Sequence, residues 1–82
     1  MEKRIGVVSI IVEDLDKASI INDILHESAP IIIGRMGIPY RERGISVMSI
    51  IVDGTTDQIG SLTGKLGNVS GVNVKSAVSK KK

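Results

Sequence analysis

A chain of 82 residues, 41% apolar and carrying a formal charge of +2, has room for one sheet and two helices but not for a second domain. It contains no Cys, Phe or Trp, and Tyr40 is its one aromatic residue, which excludes disulfides, thiolate metal centres and sheet surfaces that stack nucleic-acid bases. With Lys80, Lys81 and Lys82 set aside, residues 1–79 hold 8 basic and 9 acidic side chains, so the positive balance is a tail and not a basic face for DNA.

From the N-terminus, alternating apolar residues predict a strand β1 over about residues 3–13. Ile5, Val7 and Ile11 fall on one face, and Val8, Ile10 and Val12 on the other. Ala18, Ile21 and Leu25 then recur at helical spacing, with Ile20 and Ile24 beside them. They predict α1 from about Asp16 to Glu27, capped by Asp14 or Asp16. Residues 31–36 read as β2 and residues 45–53 as β3, in which Val47 and Ile51 oppose Met48, Ile50 and Val52. Thr55-Thr-Asp-Gln58 has the form of a capping box, opening α2 from Asp57 to about Leu66 on a stripe of Ile59, Leu62 and Leu66. Gly60 and Gly64 cost such a helix about 1 kcal/mol each relative to Ala. Close packing on the sheet would explain them, and Gly67 suits the helix stop. Residues 72–78 supply β4, completing one domain over 1–79, followed by the basic tail 80–82.

An internal repeat organises these elements. Residues 5–14 match residues 45–54 at an offset of 40, and six of the ten positions are identical: Ile5/Ile45, Val7/Val47, Ser9/Ser49, Ile10/Ile50, Ile11/Ile51 and Val12/Val52. A duplicated βαβ unit predicts an α+β fold of the βαββαβ, ferredoxin-like kind. Its four-stranded antiparallel sheet has the order 4-1-3-2, with both helices on one face. Both faces of β1 and β3 are apolar, yet the helices cover only one. A second subunit is therefore expected on the other, giving a homodimer or homotetramer. No apolar run nears the roughly 18 residues of a membrane span, and residues 1–4 lead into β1 without a signal-peptide pattern, so a cytoplasmic location is expected.

Residues 35–44, between β2 and β3, hold three of the four arginines (Arg35, Arg41 and Arg43), together with Tyr40 and Pro39. Read as a loop with Gly37 and Gly44 freeing its ends, this segment offers Arg41 and Arg43 as guanidinium forks for a carboxylate or phosphate. Glu42 is placed to orient one of them, and Tyr40 adds a flat surface and a hydroxyl. The same composition also suits a solvated hairpin loop. Glu13, Asp14 and Asp16 cluster where β1 meets α1. Three carboxylates there favour an amino group or hydrated cation over an anion, although an acidic first turn also complements the helix dipole. His26, beside Asp23 and Glu27, is a weak metal-ligand candidate, because soft-metal centres need several such ligands in one shell. Ser9 and Ser49 read as hydrogen-bonded core residues rather than nucleophiles.

The run Ile32-Ile-Gly-Arg-Met-Gly-Ile-Pro-Tyr-Arg-Glu-Arg-Gly-Ile45 resembles the iron-only hydrogenase system regulators, small ACT-like ferredoxin-fold proteins of anaerobic bacteria. Arg4-Ile-Gly-Val-Val-Ser-Ile-Ile-Val-Glu-Asp14, Ile24-Leu-His-Glu27, Ser61-Leu-Thr-Gly-Lys-Leu-Gly67 and Gly71-Val-Asn-Val-Lys75 carry the same resemblance, which spans nearly the whole chain apart from the lysine tail. It implies an ACT-like domain with a regulatory or ligand-sensing role linked to iron-only hydrogenase production. It also implies that the β1–α1 turn, facing a neighbouring subunit, takes part in small-molecule binding. The family in turn resembles the C-terminal domain of nickel-responsive repressors, which assembles into tetramers. The single histidine departs from what nickel sensing requires.

No Gly-x-Gly-x-x-Gly, Walker or Cys-x-x-Cys motif is present, nor a nucleophile with convergent titratable partners. The expectation is a non-enzymatic regulator without a cofactor, without membrane contact and without direct nucleic-acid contact. It would bind a small ligand, or a hydrogenase maturation or transcription protein, through residues 35–44 or the β1–α1 turns. The alternative is a purely structural protein–protein interaction module with no small-molecule ligand.

Overall fold

The computed structural model describes residues 2–81, so Lys82 of the basic tail lies outside the described residues. The elements are β1 (Arg4–Val12), α1 (Ala18–Glu27), β2 (Ile32–Tyr40), β3 (Ile45–Gly54), α2 (Thr56–Gly67) and β4 (Val72–Val78). The strands form one sheet in the order β2-β3-β1-β4, which is the expected 4-1-3-2 order, and every neighbouring pair is antiparallel. Ser9 pairs directly with Ser49 across the two central strands. The approximate dyad relating the two halves of the repeat therefore runs between these serines.

The core is aliphatic and lies between the sheet and the helices. Val8, Ile10 and Val12 of β1 meet Met48, Ile50 and Val52 of β3, with Ile21 and Leu25 from α1 and Ile59, Leu62 and Leu66 from α2 packed above them. Burying a side chain of this size contributes about 1.5–3 kcal/mol, so the stripe read from each helix is also what fixes it to the sheet. The capping box of α2 is formed. Thr55 Oγ1 accepts from the Gln58 backbone N–H at 3.1 Å, and Gln58 Oε1 accepts from the Thr55 N–H at 2.9 Å.

Several local expectations are corrected. A 3-10 turn at Leu15–Lys17 precedes α1, and Asp14 caps it by accepting from the Asp16 N–H at 3.0 Å. Gly60 and Gly64 do not pack closely on the sheet, because a Cβ at either position would meet nothing within 4 Å. They lie away from the Ile59–Leu62–Leu66 stripe. Gly67 is helical, and α2 ends instead at Asn68 in a right-handed conformation. Ser9 and Ser49 are not core residues, for their parity places them on the face opposite the helices, where Ser9 is exposed and Ser49 half-buried.

The largest correction concerns residues 35–44. Most of this segment is strand, since β2 continues to Tyr40 and pairs with β3 from Ile32↔Val52 to Tyr40↔Ile45. Met36, Ile38 and Tyr40 alternate along one face. Pro39 is tolerated because β2 is an edge strand, where a missing N–H need not break the ladder. Gly37 therefore sits mid-strand, and only a tight turn remains as a loop. Arg41–Arg43 form one 3-10 turn, closed by Gly44 at φ +65° with its N–H donating to the Arg41 carbonyl at 3.1 Å.

Candidate functional site

The antiparallel register brings two of the candidate clusters to the same end of the sheet. Val12 pairs with Ser46 on one side and Val72 on the other, while β2 ends at Tyr40↔Ile45. The β2–β3 tip, with Tyr40, Arg41, Glu42 and Arg43, and the β1–α1 turn, with Glu13, Asp14 and Asp16, therefore share that end. One is rich in guanidinium groups and the other in carboxylates.

Within the tip, Glu42 does not orient an arginine. Its Oε2 instead accepts from the Tyr40 hydroxyl at 3.4 Å. The short turn places these two side chains together and leaves the Arg41 and Arg43 guanidinium groups exposed. Within the acidic turn, Asp14 is committed to its cap. The Glu13 carboxylate accepts from Asn73 Nδ2 on β4, and the Glu13 N–H donates to the Gly71 carbonyl at 2.7 Å. Gly71 holds φ +76°, and a Cβ there would lie 2.8 Å from the Asp14 Cβ. The turn is thus anchored by the entry to β4. Sequence reading missed Asn73 and Gly71, although the glycine preceding a predicted strand was a readable signal for a special backbone position.

Arg35 is not part of the tip. It pairs with Ile50, five residues back from Tyr40, or roughly 16 Å along the strand at the rise of an extended chain. Its parity directs it to the helical side, where Arg35 Nη2 donates to Asn22 Oδ1 of α1 at 3.0 Å. Asn22 was also missed. Its spacing of four from His26 and its place beside the Ile21–Leu25 stripe were the available signals. Gly37 lies between these two regions. A Cβ there would meet the Met48 side chain at an ordinary 3.5 Å. His26 is exposed on α1, and no group of three or more potential metal-ligating side chains occurs among the described residues.

The face of the sheet away from the helices is apolar and open. Ile5 and Ile11 of β1, Val47 of β3, and Met36, Ile38 and Tyr40 of β2 are between 41% and 66% exposed, with Val7 and Ile51 half-buried among them. Large contiguous apolar patches of this kind mark interaction surfaces. Among the described residues, no helix is long and apolar enough to cross a membrane.

Comparison with known proteins places this architecture. Residues 4–76 match the family described as "TM1266-like: Iron-only hydrogenase system regulator, putative". The structure of the uncharacterized protein TM1266 from Thermotoga maritima is 40% identical, covering 96% of this chain and 100% of that one, with a TM-score of 0.91. CPII, a nitrogen regulatory PII-like protein from Thiomonas intermedia K12 bound to ADP, AMP and bicarbonate, shares the fold at 15% identity and a TM-score of 0.54, covering 96% of this chain and 99% of its own. The de novo designed protein Foldit4 does so at 14% identity and a TM-score of 0.53, with 99% and 100% covered. No curated protein matches significantly. The match over nearly the full chain, on a ferredoxin-like sheet with the expected strand order, shows that the protein belongs to the TM1266-like family of iron-only hydrogenase system regulators.

Proposed function

We propose that this protein is a ligand-sensing regulatory module of the iron-only hydrogenase system, and that it works as a homo-oligomer assembled through the open face of its sheet. The observation that carries the reading is that face. It sets Met36, Ile38 and Val47 in water at 66%, 59% and 42% exposure, in a chain whose other sheet face is buried under the helices along β1 and β3. An exposed apolar sheet is costly to leave in solvent, and a second copy is the partner always present. In such an assembly the arginine tip and the carboxylate turn at the shared end of the sheet offer complementary charges across the subunit boundary. A small ligand, or a maturation or transcription protein, engages there through Arg41, Arg43 and Tyr40 or through Glu13, Asp14 and Asp16. CPII, which shares the fold, is a regulatory protein bound to nucleotides and bicarbonate, and this supports the sensing role by analogy of architecture. No step of this reading requires catalysis.

Light scattering on the tag-free protein at low micromolar concentration tests the assembly. A stable dimer or tetramer is expected, and a monomer would overturn the role of the open face. Arg41→Ala and Arg43→Ala then test the tip. Loss of binding to a native ligand or partner is expected in each, and unchanged binding in both would remove the tip from the site. If the protein is instead a monomer, the open face is the docking surface of a purely structural interaction module.

A further inference from the structure

A second candidate site lies on the helical side of the sheet, away from both the tip and the open face. Asn22, Leu25 and His26 share one stripe of α1, and Ala29 follows in the 3-10 turn Ala29–Ile31 that leads into β2. With Ile32 and Arg35 of β2 they line a groove of about 410 Å³, within the size range of small-molecule sites. Its two ionisable side chains, Arg35 and His26, are both basic, and no carboxylate lines it. The Arg35 guanidinium is held over the groove by its 3.0 Å bond to Asn22 Oδ1. That bond uses one donor and leaves most of the planar fork free. Leu25 is buried and Ile32 half-buried, so the floor is aliphatic.

We infer that this groove binds a small organic acid. Its carboxylate sits on the Arg35 fork, the His26 imidazole supplies a further donor, and a short aliphatic body lies against Leu25, Ala29 and Ile32. A fork whose direction is already set by Asn22 loses less freedom on binding a planar carboxylate than a free surface arginine would. The apolar floor selects a carboxylate with a hydrocarbon body over a bare inorganic anion. Because the groove and the open face are on opposite sides of the sheet, assembly through the open face leaves the groove accessible. The site does not depend on the role proposed for Arg41 and Arg43.

Amide and side-chain NMR titration with butyrate tests this directly, with n-butylamine as the probe of opposite charge and inorganic phosphate as the bare anion. Saturable shifts at Asn22, His26, Ala29 and Arg35 are expected with butyrate and not with n-butylamine. Arg35→Gln should weaken binding about tenfold or more, given the strength of hydrogen bonds to charged groups. Arg41→Gln, at the tip, should leave butyrate binding unchanged, which separates this site from the one proposed above. Asn22→Ala, an exposed helical position, keeps the charge but frees the fork. It should weaken butyrate severalfold and shift the Arg35 Nε–H resonance. Failure of butyrate to saturate would overturn the inference. So would undiminished binding in Arg35→Gln, equal shifts with n-butylamine, or tighter binding of phosphate than of butyrate.

Discussion

The two faces of the central strands begin with nearly the same sequence character and end in opposite environments. On β1, Val8, Ile10 and Val12 are 0% exposed, whereas Ile5 and Ile11, on the same strand, are 46% and 41% exposed. Nothing in the side chains themselves separates an isoleucine at position 10 from one at position 11. The difference arises because α1 and α2 both connect across one side of the sheet, so only that side gains a helical layer. The covered face supplies the core, and the open one leaves its apolar side chains exposed.

The strongest way to break this comparison is to mutate both faces. Ile50→Ala, on the covered face, should cost about 2–5 kcal/mol of stability, measured by urea unfolding. A loss below about 1 kcal/mol would mean that the helical layer is not what holds the sheet. Gly71→Ala probes the end shared by the tip and the acidic turn, where φ is +76° and Asp14 lies against the missing Cβ. It should cost roughly 1–3 kcal/mol, read from the thermal midpoint. The comparison extends to the helices, whose outward sides carry no packing load. Gly64→Ala, into open space on α2, should therefore raise stability, by about 1 kcal/mol at most. Val47→Lys on the open face should change the intrinsic stability of the subunit least, by about 0.5 kcal/mol. It should nevertheless reduce the solution mass to that of a monomer and abolish any rise of the thermal midpoint with protein concentration. A Val47→Lys variant that stays assembled would place the interface elsewhere.

Features set by neighbouring residues were legible before the structure. The capping box at Thr55 and Gln58 is local chemistry, and the helix stripes and the repeat are periodicities. The strand order follows from the repeat with right-handed crossovers. The candidate site was legible only in part. Residues 35–44 look like a loop because arginine, glycine and proline are dense there, yet β3 draws the chain into strand pairing as far as Tyr40. That pairing moves Arg35 from the tip to the helical groove, where its partner Asn22 lies 13 residues earlier in the chain.

Sequence alone therefore determined the elements, their order and the fact that both faces of β1 and β3 are apolar, because each rests on spacing along the chain. Tertiary structure alone decided which apolar face is covered, that Arg35 meets Asn22, and that Asp14 packs against Gly71 beside the Glu13–Asn73 contact. Those outcomes depend on how distant segments cross in space, and the energy of such a crossing resides in neither segment by itself.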